Sequence, residues 1–417
     1  MLRTITSIYS LLAAVAILLL GSGLLGTVVA LRAGIEQFPT AVIGLVMAGF
    51  FLGYVLGSYL CPHIVRSFGH IRSFSAFAAI GCATVILHGL LIHPMVWIGL
   101  RIVTGICMLG MYLVIESWLS GLSTNRTRGS LFAVYMTINL LALGAGQFLI
   151  LVYGVTDVAP FALSALFFSL ALVPIALTRM PQPTPVVAAR LGLGQLYATS
   201  PLGATGALVS GLVSGGFWGM GPLFALEAGF TEAGIAIFMS GVIFGGALLQ
   251  WPLGHLSDNH DRRMVMLGIS LAGGLAALAV FLLVKLHPNL SFMAAVLFGG
   301  CAFSIYSLSV AHANDHVDAN HVMETSRGLL LLSGIGASLG PILAGLLMGW
   351  AGAGSLMAYF ALLLTLLAGF IWFRRKVGHQ ISTEEQADFV MMARTSTEVL
   401  EMDPRTEEDL TDGSESR

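Results

Sequence analysis

Arg101 and Glu116 are the charged side chains that stand clearly within long apolar runs of this sequence. A charge in hydrocarbon is costly and usually faces protein or water. Arg101, Gly105, Met108, Tyr112 and Glu116 follow at steps of four, three, four and four, which is one helical face. At 1.5 Å per residue the two charges lie about 22 Å apart, too far to pair, so they mark opposite ends of one stripe. Arg101 has the chemistry to anchor an anionic or carbonyl-bearing group, or else snorkels to the outer surface. Glu116 has the chemistry of a proton carrier or gate, or else pairs with a neighbouring arginine. Tyr112 and Tyr306 offer hydroxyls on aromatic bodies. Asn139, Gln147, Trp218 and Gln250 are further polar or amphipathic side chains, whose partners lie in a cavity or on neighbouring helices. His63, His70, His255, His260, His312 and His316 gather near the ends of the apolar runs and read as solvated. Cys61, Cys82, Cys107 and Cys301 have no CxxC spacing and read as small buried hydrophobes. The two lysines, Lys285 and Lys376, follow Val284 and Arg375, so neither belongs to a phosphate-binding loop. With no nucleophile motif or metal-ligand cluster either, neither an enzyme nor a cofactor is expected.

Composition dictates the elements that carry these residues. Of 417 residues 57% are hydrophobic and 10% charged, with a mean hydropathy of +0.89; soluble domains run at about 45–50% apolar and about 25% charged. A chain this poor in lysine has no basic surface for nucleic acid. Stretches able to cross about 30 Å of hydrocarbon fall at 8–31, 41–62, 72–92, 95–119, 129–152 and 158–178. They resume at 201–226, 233–254, 264–285, 291–312, 328–349 and 353–373. The first is followed by eleven more and lacks a small-residue cleavage site, so it reads as a span and not a removable leader. Between the sixes, Met180-Pro181-Gln182-Pro183-Thr184-Pro185 cannot continue a helix. The expected organisation is a six-helix half at 1–178, a linker at 179–200, a second half at 201–376 and a tail at 377–417. With the amino terminus inside, thirteen arginines and lysines fall on the cytoplasmic side, against Arg32 and Lys285 on the other. That asymmetry predicts cytoplasmic termini in a cytoplasmic (inner) membrane.

An internal duplication is visible. Gly26 to Gly34 recurs as Gly221 to Gly229 at an offset of 195, Gly49-x-x-x-Gly53 as Gly241-x-x-x-Gly245 at 192, Gly105 to Tyr112 as Gly299 to Tyr306 at 194, and Arg128-Gly129 as Arg327-Gly328 at 199. Four ordered matches at nearly constant offset predict two halves of the same orientation. The expected fold is an all-α membrane protein of twelve transmembrane helices in two six-helix pseudo-symmetric halves. Parallel halves with a site between them near the midplane are one solution for secondary transport. The small faces of Gly49, Gly53, Gly57, Gly241 and Gly245 suit sliding contact or static packing alike.

Gly254-His255-Leu256-Ser257-Asp258-Asn259-His260-Asp261-Arg262-Arg263 lies between spans 8 and 9, a degenerate counterpart with Pro62, Arg66 and Gly69 follows span 2, and Arg101-x-x-x-Gly105 opens span 4. On these motifs the chain resembles a major facilitator superfamily transporter over residues 1–376. Glu116-Ser117, Thr127-Arg128-Gly129 and Gly340-Pro341 most resemble its YcaD-like subgroup. The resemblance implies that spans 1, 4, 7 and 10 line a central cavity, with the Arg101–Glu116 stripe facing substrate. It also implies a cytoplasmic latch at Asp258, Arg262 and Arg263. Since Arg66 replaces the acid in the first half, that half's latch is expected to pair Arg66 or Arg72 with Asp318 or Glu324. On the outside, the duplicated segments set Arg32 against Glu227 with opposite signs, and the two are expected to approach when the outer gate closes.

The resulting reading is a secondary active transporter of a small organic solute, working by alternating access and coupled to protons through Glu116 or another residue, with the direction open. Gly144-Ala145-Gly146-Gln147 replaces the glycine-proline element of the superfamily's drug/proton antiporters, which argues against multidrug export. The alternatives are an uncoupled facilitator, or a transporter-like sensor or scaffold acting through its tail. Expected partners are the solute, protons and the lipid bilayer, with the chain a monomer. The net charge of -2 divides into +6 over residues 1–383 and -8 over 384–417. That acidic tail reads as solvated or regulatory, with Phe389, Val390, Met392, Val399 and Leu400 able to form a short amphipathic helix.

Overall fold

The computed structural model describes residues 2–123, 125–178, 193–317, 321–377, 386, 389–392 and 394–402. The first half contains α1 (Leu2–Ile35), α2 (Thr40–Phe68), α3 (His70–Leu90), α4 (Pro94–Leu122), α5 (Asn125–Gln147) and α6 (Ala159–Leu177). A short α7 (Leu193–Thr199) leads into the second half, α8 (Pro201–Glu227), α9 (Glu232–Asp258), α10 (Arg262–Leu283), α11 (Pro288–Asn314), α12 (Val322–Ala351) and α13 (Ser355–Val377). All but α7 are long and apolar enough to cross a membrane, giving twelve spans. Many run past the expected stretches, α2 as far as Phe68, because a helix carries its polar ends beyond the hydrocarbon it crosses.

Helix ends follow local chemistry. Ser200 Oγ accepts from Gly203 N at 3.3 Å to start α8, ahead of Pro201 at the first helical position. Asp261 Oδ1 accepts from Arg263 N at 3.0 Å to start α10. Gly69, with φ 79, both ends α2 and begins α3, a one-residue turn in a backbone region costly to any residue with a Cβ.

The halves repeat one packing scheme. In the first, α1 packs on α5 and α6, and α4 on α2 and α3; in the second, α8 packs on α12 and α13, and α11 on α9 and α10. The duplicated glycines are the crossing points of this scheme. A Cβ on Gly105 would strike the Phe50 carbonyl and one on Gly53 that of Ile102, while Gly245 meets Val296 and Gly299 meets Val242 in the same way. These stripes join helices of the same half, so their role is tight packing within each half, with no sliding between halves. Backbones approach this closely only where the residue facing the neighbouring carbonyl carries no side chain.

Between the halves, contacts concentrate at the end away from the termini. Gly34 of α1 lies on Leu223 of α8, Gly44 of α2 on Pro341 of α12, and Ser240 Oγ of α9 donates to the Gly144 carbonyl of α5 at 2.8 Å. At the termini-bearing end the space between the halves is filled by the chain's own tail. Among the described residues the possible amphipathic helix is not formed there: Phe389–Met392 is irregular and Thr397–Met402 forms a 3-10 turn. Nor is this segment solvated, since Met392, Ser396, Val399 and Leu400 are all buried.

Gly105→Ala should destabilise the protein by about 1–3 kcal/mol, the usual cost of overpacking. Gly99→Ala in the same helix, where a Cβ meets nothing within 4 Å, should leave it unchanged. Thermal unfolding of the two variants in detergent provides the comparison.

Candidate functional site

A cavity of about 330 Å³ lies between the halves, walled by α1, α2, α4 and α5 on one side and by α8, α9, α11 and α12 on the other. Its surface is mainly apolar, with Met47, Phe50, Tyr54, Trp218 and Phe303 among the larger side chains. Trp218 stacks on Phe303 at 6.2 Å between ring centroids. Arg101 belongs to this wall and is 3% exposed, so it does not snorkel to the surface. Its guanidinium carbon sits 4.5 Å from the Phe50 ring centroid, a cation–π contact. Among the described residues it makes no ion pair and no hydrogen bond, and its Nε is buried without a partner.

Glu116, fully buried, stands at the other end of the stripe. Its carboxylate accepts from the Tyr135 hydroxyl, from the Thr395 and Ser396 hydroxyls, and from Ser396 N at 3.2 Å. Among the described residues its partners are thus neutral donors, with no neighbouring arginine. Tyr112 donates to Asn139 Oδ1 at 3.3 Å and Asn139 Nδ2 to the Tyr135 carbonyl at 2.8 Å, tying the stripe on α4 to α5. Tyr135 went unnoticed in the sequence, although its place four residues before Asn139 puts both on one helical face.

Tyr112 and Tyr306 hold equivalent positions, but their rings make no contact. Tyr112 faces Tyr54 at 6.5 Å, whereas Tyr306 lies under Arg394, whose guanidinium carbon is 4.8 Å from the ring centroid. Gln250 lines the cavity and donates to Ser307 Oγ at 2.7 Å. Gln147 is not among the lining residues but bonds two that are, Thr27 at 2.5 Å and the Gly23 carbonyl at 3.0 Å, so it ties α5 to α1 behind the wall. Arg327, one of the thirteen cations that the sequence assigns to the cytoplasmic side, lines the cavity. His70 and His312 are buried, contrary to the solvated reading, because adjoining helices cover them. Burial lowers the Arg394 guanidinium to about 10, still protonated at neutral pH.

The candidate gates differ from expectation. Arg262 is 1% exposed and bonds Asp258 at 3.1 Å and Asp315 at 2.6 Å, joining α9, α10 and the end of α11 within the second half. Arg263 bonds Asp261 at 3.3 Å. Asp258 also accepts from Phe389 N at 2.9 Å. Among the described residues neither Arg66 nor Arg72, both exposed, pairs with Glu324, since the tail stands between the halves at this end; Asp318 lies outside the described residues. At the far end the halves already meet, yet Arg32 pairs with Glu36 at 2.7 Å and not with Glu227. Closure there is made by apolar side chains and backbone, and the acid four residues on, just past the end of α1, is the nearer partner.

Arg262→Met should lower the thermal midpoint by a destabilisation of about 3–5 kcal/mol, because it leaves a buried carboxylate without that cation. Combining it with Asp315→Asn should recover much of the loss. Melting curves of the single and double variants in detergent check this.

Residues 203–401 match the Major Facilitator Superfamily profile. An uncharacterized MFS-type transporter of Enterobacter sp. (strain 638) is 28% identical over 350 residues, covering 81% of this chain and 88% of its own. The uncharacterized MFS-type transporter YcaD of Shigella flexneri is 29% identical over 352 residues, with the same coverage. Among solved structures, the nucleoside transporter NupG superposes with a TM-score of 0.70 at 15% identity, covering 89% of this chain and 99% of that one. A bacterial homolog of the human lysosomal transporter Spinster, inward-facing and occupied, gives 0.74 at 15%, covering 91% and 97%. These likenesses carry the fold, and the sequence relatives carry the class. The second half of the chain thus matches the major facilitator superfamily, and most of its length, folded as twelve apolar helices, is similar to MFS-type membrane transporters, a family of transporters and not of enzymes.

Proposed function

We propose that this transporter moves a small organic solute bearing an anionic group, with Arg101 as its anchor, by alternating access across a cytoplasmic membrane in which both termini face the cytoplasm. The observation that carries this is Arg101 itself: a buried cation on the cavity wall with no anion or acceptor among the described residues. A desolvated guanidinium gains strongly from a charge-assisted bond to a carboxylate or phosphate-like group. The aromatic and apolar walls suit an organic body, and about 330 Å³ suits a small one. The excess of arginine and lysine toward the termini side supports the orientation.

Proton coupling through Glu116 belongs to the same proposal. A buried carboxylate held by hydroxyls and one N–H can take up a proton without breaking an ion pair. Each element has its own measurement. In a thermal-shift screen of anionic and neutral solutes, anionic ones should stabilise the purified protein. Arg101→Gln should weaken their binding by about 30-fold or more, the scale of losing one partner of a buried charge pair. Unchanged affinity would remove Arg101 from the site. In proteoliposomes, Glu116→Gln should abolish uptake driven by a pH gradient while sparing counterflow. Wild-type uptake indifferent to the gradient would replace coupling with uncoupled facilitation.

A further inference from the structure

We propose that residues 389–392 and 394–402 are a ligand of the protein's own cavity: the termini-bearing half of the pathway is a peptide-binding groove, and the tail seated in it plugs the pathway and holds the two halves apart. The inference rests on the cavity being the solute pathway, as proposed above.

The segment is fastened at three places by complementary chemistry. Phe389 N donates to Asp258 Oδ1 at 2.9 Å, and the Phe389 ring lies against Gly254, where any Cβ would collide with it. Further in, Met392 N donates to Ser307 Oγ at 3.1 Å. Arg394 there donates to Ser214 Oγ at 2.5 Å, to Ser210 Oγ at 2.7 Å and to the Ser210 carbonyl at 3.3 Å, with its guanidinium over Tyr306. Both of these places belong to the second half. The third belongs to the first half, where Thr395 and Ser396 converge on Glu116. The 3-10 turn that follows packs on α4, α5 and α12, with Val399 and Leu400 each 1% exposed.

A guanidinium followed by two hydroxyl side chains is therefore read by hydroxyls and an aromatic face on one wall and by a carboxylate on the other. Because the segment bonds to both walls, the halves cannot close at this end while it is in place. It also ties up Glu116, which an incoming solute or proton would need, and Asp258 of the motif that begins in the last turns of α9. Tail and transport compete for the same atoms. Tethering favours the bound tail, since its effective concentration at the groove is that of an intramolecular ligand.

The test reads the plug without any solute, so its failure and a failure of the solute proposal are separable. A cysteine is introduced at Leu331, on the cavity wall, in the full-length chain. Its reaction with a hydrophilic maleimide added at the termini side is timed, with the parent chain giving the background from the native cysteines. Adding Arg394→Glu and Ser396→Asp in the same full-length chain should speed labelling by about tenfold or more. A synthetic peptide of residues 386–402 should then restore protection, and the same peptide carrying Arg394→Ala and Ser396→Ala should not. Where the double substitution lowers recovery of folded protein, Arg394→Gln alone with peptide competition gives the same reading. Labelling rates unaltered by the tail substitutions, or a native peptide that gives no protection, would overturn the proposal.

Discussion

Inside a hydrocarbon layer a polar group has no water to bond with, and every hydrogen bond it makes must come from the protein. That constraint accounts for most of this structure. It confines the backbone to helices that satisfy themselves, and it removes the hydrophobic drive between them, leaving close contact as the source of cohesion. The glycines at the α2–α4 and α9–α11 crossings supply that contact twice over. The same constraint turns Gln147 toward Thr27 and Gln250 toward Ser307. A polar side chain without such a partner is conspicuous, and Arg101 is conspicuous in this way.

The distribution of polarity between the two ends of the cavity is unequal. At the far end the halves meet through small residues, apolar side chains and the hydroxyl-to-carbonyl bond from Ser240 to Gly144. Toward the termini, the walls carry Glu116, Ser210, Ser214, Tyr306 and Ser307, all of them engaged by the tail. An apolar seam can open without leaving buried charges unpaired. A polar mouth cannot be left dry and empty at the same low cost, and hydroxyls and a guanidinium from the tail satisfy it in this conformation.

Much of the fold was legible in the sequence because its signals are local or periodic. Twelve apolar stretches, a proline-rich break and four ordered repeats describe a duplicated bundle before any contact is known. The Arg101–Glu116 stripe was legible for the same reason, since helical spacing alone sets its face. The pairings were not. Arg32 and Glu227 are equivalent by repeat, yet repeat equivalence says nothing about distance across the pseudo-symmetry axis, and Arg32 bonds Glu36, just past the end of its own helix. Tyr112 and Tyr306 match in the same way and do not touch. Asp315, the buried partner of Arg262, lies outside the motif and beyond the reach of spacing arguments.

Sequence by itself therefore determined the class of environment, the number of spans, the duplication and the polar residues with a helical face in common, because hydropathy and periodicity are properties of consecutive residues. Tertiary structure decided which polar groups are satisfied and by whom. Glu116 bonds with Thr395 and Ser396, some 280 positions away along the chain, whereas composition marked that tail as acidic, and as solvated or regulatory, with no place for it in the fold. Its burial depends on a groove that exists only once both halves are assembled, and no window of sequence contains both sides of that groove.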